Sequence, residues 1–134
     1  MVIDCLIVKE KWLELILERW KCLEIRGSRT HKRGLIGLIQ SGSGEVKGLV
    51  NLVGCRKIDK TFFENFPDLH QIKDTAWEDL PYKNVYGWLL EGAVRLKKPI
   101  KYVHPRGAVI WVKVDVPTEV EYGETYIGGG TPGK

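Results

Sequence analysis

Cysteine is scarce in this sequence, and its three copies are not arranged for pairing or for metal binding. Cys5, Cys22 and Cys55 are an odd number without C-x-x-C spacing, which disfavours both a disulfide framework and a zinc site. His31 and His104 have no third ligand at metal spacing. We therefore expect reduced thiols in a cytoplasmic protein, or a nuclear one in a eukaryote, with no metal and no cofactor.

Long apolar runs are also missing. The stretch VIDCLIV at residues 2 to 8 is interrupted by Asp4, lacks a basic lead-in and is followed by no cleavage-like sequence, which argues against a signal peptide. No run approaches the roughly 18 apolar residues of a membrane span. We expect no membrane association.

The sequence contains none of the usual motifs of a covalent nucleophile or a phosphate loop. Ser41 has no identifiable His/Asp relay, and Cys22 and Cys55 stand in no nucleophile motif. The glycines at 128 to 130 are neither preceded by a strand pattern nor followed by a helix pattern.

Charge is present in quantity and is segregated along the chain. The 134 residues carry a net charge of +4, which alone indicates only a mild preference for polyanions. Basic side chains, however, dominate residues 19 to 33 and 95 to 106, whereas residues 59 to 79 are mainly acidic. This distribution predicts that one face of the protein is presented to a partner.

Hydrophobic periodicity predicts a mostly β domain of the α+β type with short helices. An amphipathic helix is expected over residues 9 to 20, where Trp12 and Trp20 occupy the apolar face. Strands are expected over residues 2–8, 22–26, 34–40, 45–55, 86–96 and 108–116, with short helices within 59–71 and an edge or connection over 97–107. Antiparallel strands joined by turns indicate a small β-barrel whose helix flanks a cleft. The domain would span residues 1–116, followed by a flexible, glycine-rich tail at 117–134.

Lys21, Glu24 and Arg26 form the first candidate site. Glu24 and Arg26 are two residues apart on a predicted strand and therefore share a face, and Lys21 precedes them. One reading is a surface ion pair worth under about 1 kcal/mol. The other is a functional cluster in which a buried Lys21 would have a lowered pKa and act as a general base.

Two further basic segments are candidates for phosphate contacts. Guanidinium and ammonium groups pair well with phosphate oxygens, although the same charges are common on solvated turns. The two aromatic residues Trp88 and Trp111 lie in alternating strands and are read either as core or as a platform for a stacked base. The candidate phosphate-binding residues are Arg29, Lys32, Arg33, Lys97, Lys98, Lys101 and Arg106.

The order of the motifs resembles the ASCH domain, a member of the PUA-like superfamily. WKCLEIR at the end of the helix is followed by RTHKRG, LIGLIQS, VKGLVNLVGC, YGWLL and VIWVKV, which together cover about residues 6 to 115. The segment FFENFPDLHQ and the last strand make the chain look most like the ASCH domain at the C-terminal end of activating signal cointegrator 1. The resemblance implies a β-barrel with a cleft formed partly by K-x-x-E-x-R, here Lys21, Glu24 and Arg26.

The resemblance implies binding of RNA or single-stranded nucleic acid, and we expect the protein to be a monomer. The residues expected to bind it are Lys21, Glu24, Arg26, Arg29, Lys32, Arg33, Ser41, Trp88, Lys97, Lys98, Lys101 and Arg106. The alternative is a hydrolase acting on RNA or on a modified nucleoside such as N4-acetylcytidine, with Lys21 and Glu24 catalytic. Family amidohydrolases use a threonine three residues after the lysine, where this chain has Glu24, and a carboxylate cannot replace that hydroxyl without changing the mechanism.

Overall fold

The computed structural model describes residues 1–117, and the predicted tail from residue 118 onward lies outside the described residues. The chain is mostly β with short helices, as the periodicity predicts. The strands are β1 (Val2–Val8), β2 (Leu23–Arg26), β3 (Gly34–Gln40), β4 (Glu45–Lys57), β5 (Tyr86–Lys101) and β6 (Trp111–Asp115). The helices are α1 (Glu10–Leu17), α2 (Lys60–Asn65) and α3 (Pro67–His70), with a 3₁₀ turn at Trp77–Asp79. Within residues 1–117 no helix has the length and apolar character needed to cross a membrane.

The strands form one sheet in the order β2-β5-β4-β3-β1-β6. β1 runs parallel to β3, and the other neighbours are antiparallel. The sheet is strongly curled. Three strands separate β5 from β6 in the sheet order, yet Trp88 on β5 stacks on Trp111 on β6 with ring centroids 5.8 Å apart. The curl encloses a core to which β1, α1, β3, β4 and β5 contribute buried side chains.

Helix α1 packs its apolar face onto the sheet. Leu13, Ile16 and Leu17 are buried, and Gly48 on β4 allows the close approach, since a Cβ there would lie 2.4 Å from a Leu17 methyl carbon. The burial of Leu13, Ile16 and Leu17 stabilises the fold by roughly 1.5–3 kcal/mol per side chain. The helix is thereby held against β3, β4 and β5, and the residues at its start line a cleft.

The predicted helix over 9–20 is too long at its C-terminal end. Arg19 has a positive φ of 66°, and the amides of Trp20 and Lys21 both donate to the carbonyl of Leu15. The chain therefore turns sharply after α1, and Trp20 is 65% exposed rather than part of the core.

Strand β5 is longer than predicted and continues to Lys101. It bends at Gly92, whose φ is +66°, and the pairing with β4 shifts register nearby. Since β2 covers β5 only as far as Leu89, the section that contains Lys97 and Lys98 has no strand on its second side within the described sheet. Pro99 is tolerated in this section because an edge does not need every amide as a donor.

Candidate functional site

A cavity of about 420 Å³ opens between the start of α1, strand β2 and the segment from residue 72 to residue 82. Four of the predicted site residues line it together: Lys21, Glu24, Arg26 and Ser41. The rest of the wall is formed by Ile7, Lys9, Trp12, Ile25, Ile72, Thr75, Leu80, Pro81, Tyr82 and Val109. A volume of this size is typical of a small-ligand pocket.

Lys21, Glu24 and Arg26 form a connected ion cluster at this cavity. Oε1 of Glu24 lies 3.6 Å from Nζ of Lys21, and Oε2 accepts a hydrogen bond of 2.9 Å from Nε of Arg26. Lys21 is 2% exposed and Glu24 is 4% exposed. The reading of Glu24 and Arg26 as a solvated surface ion pair is therefore wrong, because Glu24 is buried and the Arg26 side chain is only 18% exposed.

Lys21 is held by groups on three sides. Its Nζ donates to the backbone carbonyl of His70 at 2.6 Å and lies 4.7 Å from the centre of the Trp12 ring. Burial lowers the pKa of Lys21, and the negative charge of Glu24 opposes that shift only in part. The amine is thus a positioned group that is more easily deprotonated than a surface lysine.

His70, which the sequence analysis did not single out, fixes the carbonyl that receives Lys21. Its Nδ1 accepts a hydrogen bond from the amide of Ile72, and its Nε2 lies 2.8 Å from the carbonyl oxygen of Phe63. A carbonyl only accepts, so Nε2 carries the proton and the ring is neutral. Burial lowers the pKa of His70 and favours this form.

Arg26 connects the cluster to the first strand. Its Nη2 donates to the carbonyl of Ile7 at 2.9 Å, and its guanidinium lies 5.6 Å from the Trp88 ring centre. Each oxygen of Glu24 uses one lone pair toward Lys21 or Arg26, so each retains acceptor capacity. The cavity therefore offers a carboxylate and two cations in fixed positions to one ligand.

Lys32 and Arg33 do not line the cavity. Lys32 Nζ lies 3.2 Å from the carboxylate of Asp4, and hydrogen bonds from Lys113 and Lys32 lower the pKa of that carboxyl. Arg33 donates to the backbone carbonyl of Thr30 at 3.0 Å and remains exposed. Lys32 is therefore partly exposed and paired, Arg33 is exposed, and both lie outside the first cavity.

Arg29 and Trp88 are also outside the cavity, for different reasons. Arg29 is exposed and lies over the ring of Tyr86, 5.6 Å from its centre. Trp88 is 1% exposed, stacks on Trp111 and donates its indole N–H to the carbonyl of Ser28. The expectation that Trp88 stacks a base does not fit this placement, because its ring is a structural part of the core.

The basic residues between 95 and 106 are distributed over a strand and a loop. Lys97 and Lys98 lie on the edge section of β5, and Lys101 ends that strand. Arg106 is in the following loop. None of these four side chains lines the first cavity within the described part of the chain.

Two aromatic residues complete the site and were not predicted to belong to it. Trp12 was interpreted as part of the apolar face of the helix, and Tyr82 lies between residues 71 and 86, where no helix or strand was predicted. Tyr82 packs against Gly27, where a Cβ would come 2.6 Å from the ring. Gly27 directly after the β2 strand pattern is the signal in the sequence that another group approaches closely there.

The curled sheet with a cavity beside its first helix defines an ASCH-type fold. An ASCH structure from Zymomonas mobilis that carries a serine-to-alanine substitution matches with a TM-score of 0.64 and 14% identity, over 81% of this chain and 87% of that chain. The structure described simply as ASCH from the same organism matches with a TM-score of 0.59 and 14% identity, over 73% of this chain and 72% of that one. A tyrosine-to-phenylalanine variant gives a TM-score of 0.59 and 14% identity, over 73% and 74%.

At this level of identity the comparison establishes the fold of this chain, and it agrees with the resemblance to ASCH domains in the sequence motifs. No protein-family model matches the sequence, and no curated protein matches it.

Proposed function

We propose that this chain binds RNA or single-stranded nucleic acid and takes one base into the first cavity. The observation that carries the proposal is the buried Lys21–Glu24–Arg26 cluster, which has unused hydrogen-bonding capacity at the wall of a cavity of about 420 Å³. A cluster that served only stability would be easily replaced by apolar residues of similar size. Its position at a cavity large enough for a nucleoside favours a role in ligand binding over a purely stabilising one.

The cluster matches the edge of a nucleobase. A free lone pair on Glu24 accepts from an exocyclic amino group, and a free N–H of Lys21 donates to a ring nitrogen or carbonyl. Trp12 and Tyr82 supply aromatic surface in the same cavity, and stacking on such surface contributes about 1–3 kcal/mol per base. Because a base can leave the stack and present its Watson–Crick edge only when it is unpaired, the proposal favours single strands over duplexes.

The exposed cations supply the phosphate contacts in this proposal. Arg29, Lys32 and Arg33 lie in the segment between β2 and β3, and Lys97, Lys98, Lys101 and Arg106 lie along β5 and the loop that follows it. These charges would attract the backbone without reading its sequence. A monomer acting in the cytoplasm and the particular relation to activating signal cointegrator 1 belong to the same proposal and rest on the sequence motifs.

A hydrolase is the second candidate, and one observation favours it. Lys21 has a pKa lowered by burial and lies beside a cavity, which are the properties of a general base. Glu24 occupies the position of the threonine nucleophile of the family amidohydrolases, so acyl transfer through that residue would need another mechanism. Turnover of N4-acetylcytidine or RNA that is lost in Lys21→Met would establish the enzyme.

The binding proposal is tested by fluorescence anisotropy with a labelled RNA of about 12 nucleotides and with the duplex of the same sequence. We expect the single strand to bind more tightly and its affinity to fall steeply between about 50 and 200 mM salt, since phosphate contacts release counterions. An affinity that is independent of salt, or equal for the two forms, would contradict the proposal.

A further inference from the structure

A second cavity, of about 480 Å³, lies directly beside the first. Ile7, Ser41 and Val109 line both cavities, so the two form one continuous groove. The remaining wall of the second cavity consists of Gly42, Ser43, Gly44, Tyr102, His104 and Ala108. A ligand longer than one nucleoside in the first cavity would therefore extend past Ser41 into the second.

Two hydrogen bonds that link Tyr102, His104 and Ala108 determine which atoms of this wall can donate and which can accept. His104 Nε2 lies 2.8 Å from the carbonyl oxygen of Ala108, so in the neutral ring Nε2 carries the proton and Nδ1 is an acceptor. Tyr102 then donates its hydroxyl proton to Nδ1 at 2.8 Å. The Tyr102 oxygen is left as an acceptor at the cavity wall, ready for a ligand hydroxyl.

The turn beside Tyr102 offers donors, and it is joined to Tyr102 by a hydrogen bond from the Tyr102 amide to the carbonyl of Gly44. Gly42 and Gly44 have φ values of +81° and +68° in the turn between β3 and β4. Within residues 1–117, neither the hydroxyl of Ser41 nor the amides of Gly42 and Gly44 have a hydrogen-bond partner. Ser43, in contrast, uses its hydroxyl within the turn, with Gln40 and Glu45. Free amides and a hydroxyl in a tight turn are suited to phosphate oxygens.

Two of the predicted phosphate-binding cations are close in sequence to residues that line this second cavity. Lys101 directly precedes Tyr102, and Arg106 lies between His104 and Ala108; both are exposed. The second cavity therefore combines an acceptor for a hydroxyl with donors for a phosphate, and two exposed cations are close in sequence to residues of its wall. This is the complement of a ribose with its phosphate.

We propose that the second cavity is a ribonucleotide subsite, in which Tyr102 accepts a hydrogen bond from a 2′-hydroxyl while Ser41 and the 41–44 turn bind the adjoining phosphate. The inference rests on the proposed function and deepens it, because it makes RNA rather than DNA the preferred strand. The 2′-hydroxyl is the group by which a protein distinguishes the two at a given site.

The test compares a labelled RNA of about 12 nucleotides with the all-deoxy strand of the same sequence, with uracil kept in place of thymine. Wild-type protein should prefer RNA by about tenfold, which corresponds to one net hydrogen bond. Tyr102→Phe should reduce the preference to about twofold or less by weakening RNA alone, since the ring is retained. Tyr86→Phe, which alters a tyrosine outside both cavities, should retain the full preference.

Ser41→Ala tests the phosphate part, and its exposed position makes unfolding a minor concern. It should weaken RNA and deoxy strand equally, by about threefold to tenfold. Equal wild-type affinity for the two strands, a preference that survives Tyr102→Phe, or an unchanged affinity in Ser41→Ala would overturn the subsite while leaving the proposed function intact. Failure of every oligonucleotide to bind would overturn both.

Discussion

The protein contains two kinds of basic group, and they differ in how they are held. In the first cavity, Lys21 is almost fully buried and contacts a carboxylate, a carbonyl and an aromatic ring. Lys101 and Arg106, in contrast, line neither described cavity and are exposed. Buried charges keep one geometry and are weakly screened, whereas exposed charges are mobile and are screened by salt. The first kind is suited to recognising one chemical group, and the second to attracting a polyanion.

The largest expected effect is on stability and comes from Glu24. Glu24→Ala removes the carboxylate between Lys21 and Arg26 and leaves a buried cation without its counter-charge. The expected loss is about 3–5 kcal/mol in the free energy of unfolding, measured by urea denaturation. Glu91→Ala, at an exposed glutamate on β5, should change it by less than about 0.5 kcal/mol. A loss under about 1 kcal/mol in Glu24→Ala, as for surface pairs, would contradict the account.

The next largest effect is on RNA affinity and comes from Lys21, where a substitution should weaken binding more than it weakens the fold. Lys21→Met retains most of the buried volume, and Glu24 keeps its bond to Arg26, so the fold should lose less than about 2 kcal/mol. Binding of single-stranded RNA should nevertheless fall by at least about tenfold, because the donor to the base edge is gone. Titration at several salt concentrations gives the control, since a contact to a base leaves the salt slope unchanged. Wild-type affinity in this variant would show that the cavity is not used.

The exposed cations should show the opposite pattern. Lys32→Ala combined with Arg33→Ala should weaken binding by a smaller factor, about threefold, and across all sequences. The slope of log K against log salt should become shallower by up to about 1.4 for two lost phosphate contacts on a single strand. A sequence-dependent loss at constant slope would reverse the assignment of the two regions.

The smallest expected effect is on the pH dependence of folding stability, and it comes from His70. The pKa of His70 is lowered in the folded state, so the unfolded chain takes up a proton first as the pH falls below about 6.5. Stability is therefore full above that pH and decreases progressively below it. His70→Gln should flatten this part of the pH–stability curve, whereas His31→Gln, at an exposed histidine outside both cavities, should not. Unfolding midpoints of wild type and both variants, measured from pH 5 to 8, would test this prediction. An unchanged pH dependence in His70→Gln would contradict it.

Local sequence patterns were sufficient to predict much of the fold and part of the site. Alternation in residues 22 to 26 placed Glu24 with Arg26, and hydrophobic periodicity found α1 and all six strands. The end of α1 was misplaced because the positive φ of Arg19 leaves no mark in hydrophobic periodicity. Burial of Lys21, the carbonyl supplied by His70 and the approach of Tyr82 depend on chain segments about 50 to 60 residues away in sequence, and no spacing rule reaches that far.

The most direct test of the cavity is an NMR titration of the tryptophan indole N–H groups with single-stranded RNA. Trp12 lines the first cavity, whereas Trp20 is exposed on the turn after α1 and lies outside it. The account predicts that the Trp12 indole resonance shifts in proportion to saturation while the Trp20 resonance stays in place. Saturable binding that moves neither indole and perturbs only residues 29 to 33 and 97 to 106 would contradict it.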